Sequence, residues 1–426
     1  MVLTYFRQAW QMMKQQRLFS AIYIGGTALA IATTTIFAIM YYVKIVPIYP
    51  EYNRSSTYYI DRGEMSKEDG SSAQSSISYE FARDHVLTLR DAETVTLYID
   101  ASWDDYYLSD SQGHSDIKVA NKPTDPAFFK VFDYDFIDGA PFTQADLDNK
   151  SHVAVITDAL AEKAFGTAEG AVGKNITLNF IDYKVRGVVR AASPLTPASF
   201  ADIFTPYTTY PGYDEYWRPN LGSFHTLVVS DNGESLRQQI QEIERRYNTS
   251  QDEYKLELYS QPKDHLTQTF NYSMNGDYSH IGLFRDLLTV LLVLLLVPAL
   301  NLSGMISSRM EMRSSELGVR KSFGATRGAL LGQVLWENLL LTLIGGLFGL
   351  VLSWIIIGAT SGSILTLVND WNEDLAGEVT VNLDMFLSPW IFLISLGLCV
   401  LLNLLSAFIP AAISLRRPIV TSLKEK

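Results

Sequence analysis

Cysteine is nearly missing: the 426-residue chain has one, Cys399, inside an apolar run. A disulfide within the chain is therefore impossible, and no cysteine-based metal site is available. The six histidines lie in the acidic middle and none stands in an HExxH spacing, so they read as surface or hydrogen-bonded groups. There is no phosphate-binding loop of the GxxxxGK type, and "GGLFGL" lies within an apolar run instead of following a strand. No nucleophile elbow and no kinase-type motif is present. Acid pairs such as Asp104–Asp105 are the usual composition of solvated surface. Catalytic, cofactor and metal sites are thus not expected in this chain.

Apolar length is what the sequence has in excess. Four runs reach the roughly 20 residues that a membrane span needs: residues 19–43, 287–308, 329–360 and 388–415. The first follows Arg7, Lys14 and Arg17 and holds a signal-like "ALAIA". It continues through "TTTIFAIMYYV", beyond the roughly 7–15 residues of a signal-peptide core, and so reads as an uncleaved anchor.

Charge is divided by region. Residues 44–286 carry 22 Lys and Arg against 37 Asp and Glu, while the segments up to residue 19, from 309 to 328 and after 415 carry 12 against 3. So acidic a central region excludes nucleic acid as a partner. The loop 361–387 has five acids and no base. The positive-inside bias then places both termini and the 309–328 island in the cytoplasm, and residues 44–286 and 361–387 outside.

Local patterns fill in the parts. Phe6, Ala9, Trp10 and Met13 share one face of a short amphipathic helix over residues 1–18, suited to the membrane interface. In residues 44–286, "ETVTLYI" and "YKLELYS" alternate as strands do, and "DALAEKAFG" and "ESLRQQIQEIERRY" read as helices, the first closed by Gly166. "ITLNFIDYKVRGVV" reads as a hairpin with Ile176, Leu178 and Phe180 on one face and Asp182 in the turn. "GSSAQSS" reads as a polar surface loop. The fold class is four transmembrane helices with a large α+β extracytoplasmic domain inserted between the first and second. Gly345 and Gly349 in the third run, and Ser395, Cys399 and Asn403 in the fourth, recur at four-residue spacing. Such stripes let helices approach closely, within one subunit or between two. Pro298 with Asn301 is expected to bend the second run. Glu337 is the one ionisable residue well inside a run, an intramembrane acid by one reading and an interfacial residue beside Trp336 by the other.

The island "SSELGVRKSFGATRG" sits between the second and third runs. Residues 315–323 suit a two-turn helix with Ser314 as N-cap, Gly324 as its left-handed stop and Thr326 as the cap of the next helix. Glu316, Arg320 and Lys321 fall on nearly one face.

"TDPAFFKVFDYDFIDGAPF", "VAVITDALAEKAFG", "AVGKNITLN" and "YKVRGVV" resemble the periplasmic core domain of MacB-type ABC transporter permeases. "ELGVRKSFGA", "RLFSAIYIGGTALAIA" and "IPAAISLRRPIVTSL" resemble the FtsX-like permease domain. The resemblance implies a permease subunit in the bacterial inner membrane, used as a pair; unlike MacB itself, this chain is expected to have no ATPase domain fused in front. It implies a separate cytoplasmic ATPase that binds ATP and magnesium, and a periplasmic adaptor and outer-membrane exit duct as further partners beside membrane lipids. In similar permeases the island is the coupling helix that docks on the ATPase. That assigns the contact to Glu316, Gly318, Arg320, Lys321 and Gly324; the alternative is a basic loop that holds only lipid headgroups. Rival expectations are a lipoprotein-releasing or cell-division-type mechanotransmitter, and a membrane sensor with an extracytoplasmic ligand domain.

Overall fold

The structure is a computed structural model and describes residues 11, 14–15, 17–101, 104–109, 115–194, 196–215, 218–250, 253–270, 280–360 and 389–416. The expected amphipathic segment, the loop 361–387 and the tail 416–426 fall mostly or wholly outside these residues. The longer helices are α1 (Arg17–Ile45), α2 (Asp158–Phe165), α3 (Gly233–Ser250), α4 (His265–Phe270), α5 (His280–Met312), α6 (Ser314–Ser322), α7 (Arg327–Ala359) and α8 (Pro389–Arg416). The chain divides into two compact units, one of residues 43–283 with 365–380 and one of residues 1–42, 284–364 and 381–426.

The first unit is built on a mixed sheet. Its central strand, Phe224–Val229, is flanked antiparallel by Thr57–Ile60 on one side and Thr94–Ile99 on the other. Alternation turns Phe224 and Val228 to a core with Ile60, Leu97 and Ile99, over which α3 lays Leu236 and Ile240. Further along, Val153–Thr157 and Ile181–Val189 run parallel, and α2 covers them with Leu160 and Ala161. Helix α2 starts where Thr157 accepts from Leu160 N and ends at Gly166, whose φ of 77° admits glycine without strain. An aromatic cluster of Phe128, Phe129, Tyr134 and Phe204 fills a third core.

Two expectations fail here. "GSSAQSS" is not a loop: Ser72–Ile77 is a strand paired with Gly63–Ser66. Its small polar residues carry no apolar signal, and partners on both edges fix it where propensity does not. The hairpin turn lies earlier than Asp182. Asn179 and Phe180 hold it, with φ of 44° and 68°, and Asp182 pairs in register with Thr177. The Asn179 side chain accepts from Tyr107 N at 2.8 Å and donates to Asp105 O at 3.1 Å, which stabilises the tight turn and leaves Phe180 in solvent.

The second unit is helical. Among the described residues, Arg17–Ile45, Arg327–Ala359 and Phe392–Leu415 are long and apolar enough to cross a membrane. The second predicted run lies within α5, which continues through Pro298. Gly345 and Gly349 face α1: a Cβ on Gly349 would lie 2.7 Å from Ala28 O, and one on Gly345 2.9 Å from Thr27 Cβ. Close backbone approach of this kind admits only glycine. Ser395, Cys399 and Asn403 are buried, and Asn403 donates to Thr342 Oγ1 of α7 at 3.3 Å. Both stripes thus have partners within this chain.

Candidate functional site

Helix α6 begins at Ser314, with Arg313 in the N-cap position and no side-chain cap. Ser314 is therefore inside the first turn, a correction to its expected capping role: Arg313 directs its guanidinium to two carboxylates at this junction. The far end follows local chemistry. Gly324 has φ of 91°, and Thr326 accepts from Ala329 N at 3.3 Å to start α7.

The charges of α6 turn toward neighbouring helices. Arg320 donates to Glu316 at 2.7 Å and to Gln333 Oε1 of α7 at 2.8 Å. Gln333 Nε2 donates to Glu337 at 3.1 Å, and Arg313 reaches Glu337 at 2.9 Å and Glu316 at 3.1 Å. Arg309 of α5 lies 3.7 Å from the same Glu337 carboxylate and stacks over Phe19 at 4.9 Å. Lys321 donates to Leu415 O of α8 at 2.7 Å. Burial works to raise the Glu316 carboxyl, and the hydrogen bond and charge of Arg313 with the charge of Arg320 outweigh it, holding Glu316 below the ordinary carboxylate range.

Glu337 is thus buried among helices and paired with arginines. Leu317 and Gly318 are buried beneath α6. Its exposed residues are Ser315, Glu316, Val319, Ser322 and Phe323, and Phe323 is 87% exposed. Of the assigned island residues, Glu316, Arg320 and Lys321 join the cluster, Gly318 packs and Gly324 ends the helix. Arg309, Arg313, Gln333 and Phe323 went unassigned. The signal for three of them was four-residue spacing: Arg309 near the end of α5 and Arg313 just beyond it, and Gln333 and Glu337 on α7, are each four residues apart, the separation that brings two polar groups to one side. Such an arrangement offers no nucleophile or general base with a substrate position; it ties a short surface helix to three long ones.

A short charged helix tied among long apolar ones, in a chain that also builds a large mixed α+β domain, is the plan of a membrane permease. The chain matches the family described as MacB-like periplasmic core domain over residues 20–246, and the FtsX-like permease C-terminal over residues 288–419. It belongs to the MacB/FtsX-like ABC transporter permeases. It is 24% identical over 235 residues to the pyoverdine export ATP-binding/permease protein PvdT of Pseudomonas syringae, covering 54% of this chain and 34% of that one. It is 22% identical over 247 residues to the ABC transporter permease YknZ of Bacillus subtilis, covering 57% and 56%. The chain thus spans from about a third to a little over half of these curated relatives. The solved periplasmic region of MacB from Actinobacillus actinomycetemcomitans is similar at a TM-score of 0.35 and 16% identity, covering 50% of this chain and 94% of that structure.

Proposed function

We propose that this chain is the four-span membrane subunit of an ABC exporter, acting as a pair. A separate ATPase binds ATP and magnesium on the cytoplasmic side, where α6 and both termini lie. The ATPase pushes α6, and the spans carry that motion to the periplasmic core domain, which moves a periplasmic or membrane-associated substrate toward an adaptor and exit duct. The carrying observation is the cluster on α6. Its polar side is hydrogen-bonded to α7 and α8, so a displaced α6 takes the spans with it, while Val319 and Phe323 remain on the outer side for a partner. A headgroup anchor would instead present its cations outward. Names of relatives that include export favour transport over signalling.

The test replaces the outer side and the stop separately in the full chain. Phe323→Asp puts a charge where an aromatic anchor would be desolvated, and should cut co-purification of the ATPase by tenfold or more, about 1.4 kcal/mol. Gly324→Val should strain the left-handed turn by roughly 1–2 kcal/mol and misaim α6, lowering transport while the chain still inserts. Normal ATPase binding and normal transport in both variants would end the coupling assignment.

A further inference from the structure

The last turn of α1 belongs to the first compact unit, together with the domain that follows it. Its carbonyls face a helix end and need donors. Arg54 supplies them: Nη1 donates to Val43 O at 2.7 Å and also to Val46 O. Arg54 is buried and its Nε donates to Glu51 at 2.8 Å. The other Glu51 oxygen accepts from Ser199 Oγ at 2.8 Å. His265, at the start of α4, lies 2.9 Å from Lys44 O through Nε2 and 3.1 Å from the Tyr59 hydroxyl through Nδ1. A carbonyl only accepts, so Nε2 carries the proton and Nδ1 accepts from Tyr59. Three distant segments, around residues 51–54, 199 and 265, thus converge on one helix end.

Stability alone is a poor reason for this arrangement, since a buried ion pair gains little over apolar packing. Direction is a better one. A cation at a helix C-terminus is favoured by the macrodipole, and two donors on successive carbonyls fix the helix end along its axis and about it. We propose that Arg54, Glu51 and His265 form a socket that grips the end of the first span, so that the core domain moves with that span as one body. They are positioning residues, and the proposal rests on the coupling reading above.

The test uses the full chain in nanodiscs with its co-purified ATPase, on a Cys399→Ser background. Spin labels at the exposed Glu162→Cys position report the separation of the two core domains, without nucleotide and with ATP and vanadate. The parent should show a nucleotide-dependent shift. Arg54→Met with Glu51→Gln removes both charges together, so no unpaired charge remains buried. It should abolish the shift and speed amide exchange of residues 43–48 about tenfold or more, with ATPase binding retained. His265→Gln, which can still donate to Lys44 O, should keep most of the shift, and His265→Phe should lose it. An unchanged shift in Arg54→Met/Glu51→Gln and His265→Phe would overturn the socket while leaving the coupling reading intact. No shift in the parent would overturn the coupling reading, and the socket with it.

Discussion

Glu337→Leu removes the carboxylate that Arg309 and Arg313 share, at 3.7 and 2.9 Å. The three side chains are 3–6% exposed, so solvent cannot screen what is left behind. Breaking a buried ion pair by removing one partner costs on the order of 3–5 kcal/mol, because the surviving charge stays in a poor dielectric. Arg313 keeps Glu316 at 3.1 Å. That puts the expected loss at the low end, ~3 kcal/mol, or about a hundredfold in the folded-to-unfolded ratio. Arg309 Nε has no hydrogen-bond partner among the described residues even with Glu337 present, so it gains no refuge elsewhere. Replacing the group together, as Arg309→Met, Arg313→Met and Glu337→Leu, should recover most of the loss, since apolar side chains of similar volume need no partner. The assay is reversible unfolding in mixed micelles titrated with a denaturing detergent, followed by circular dichroism, for the parent, the single and the triple variant. A single variant within about 0.5 kcal/mol of the parent would refute the reasoning, because that is the range of an ordinary surface change.

Two further outcomes follow from packing and protonation. Gly349→Ala should destabilise the helical unit by about 1–3 kcal/mol, because its Cβ would lie 2.7 Å from Ala28 O, whereas Gly397→Ala, with open space around it, should be neutral or slightly stabilising in the same assay. Burial, helped by the Arg54 charge and opposed by Glu51 and Asp264, pushes His265 below its ordinary 6.5, and burial also lowers His225, against Asp61 and Asp100. Below about pH 6.5 the unfolded chain then binds protons that the folded one refuses, so core-domain stability should fall with acidification, and His265→Gln should flatten that fall. A pH dependence in His265→Gln identical to the parent's would contradict the assignment; Asp125, raised to about 6 by burial, contributes in the opposite sense in both proteins and cancels in that comparison.

Local chemistry was legible and long-range chemistry was not. Gly166, Gly324 and Thr326 end or start helices where their side chains, or lack of one, dictate. The strand at Thr94–Ile99 and helix α3 follow their alternation and spacing. The turn at Asn179–Phe180 was misplaced because alternation continues across it, and only Asn179's bonds to residues 105 and 107 settle it. Ser72–Ile77 was unreadable because its partners, not its own residues, make it a strand. Arg309 and Arg313 counted in the sequence as topological charge. Their carboxylate partner lies 24 and more residues on, and no periodicity connects them.

The central position of Phe224–Val229 has a consequence for the order of events in the cell. Its two neighbours, Thr57–Ile60 and Thr94–Ile99, are made more than 120 residues earlier and do not pair with each other along this edge. Until Val229 has emerged, each carries an open row of amides and carbonyls facing the place its partner will take. Closure of so long a loop is slow, and open edges of this kind invite pairing with other chains. A nascent core domain therefore passes through a period in which it must be shielded, and a shortage of holdase chaperones on the folding side would show first as aggregated chain cut or stalled before residue 229.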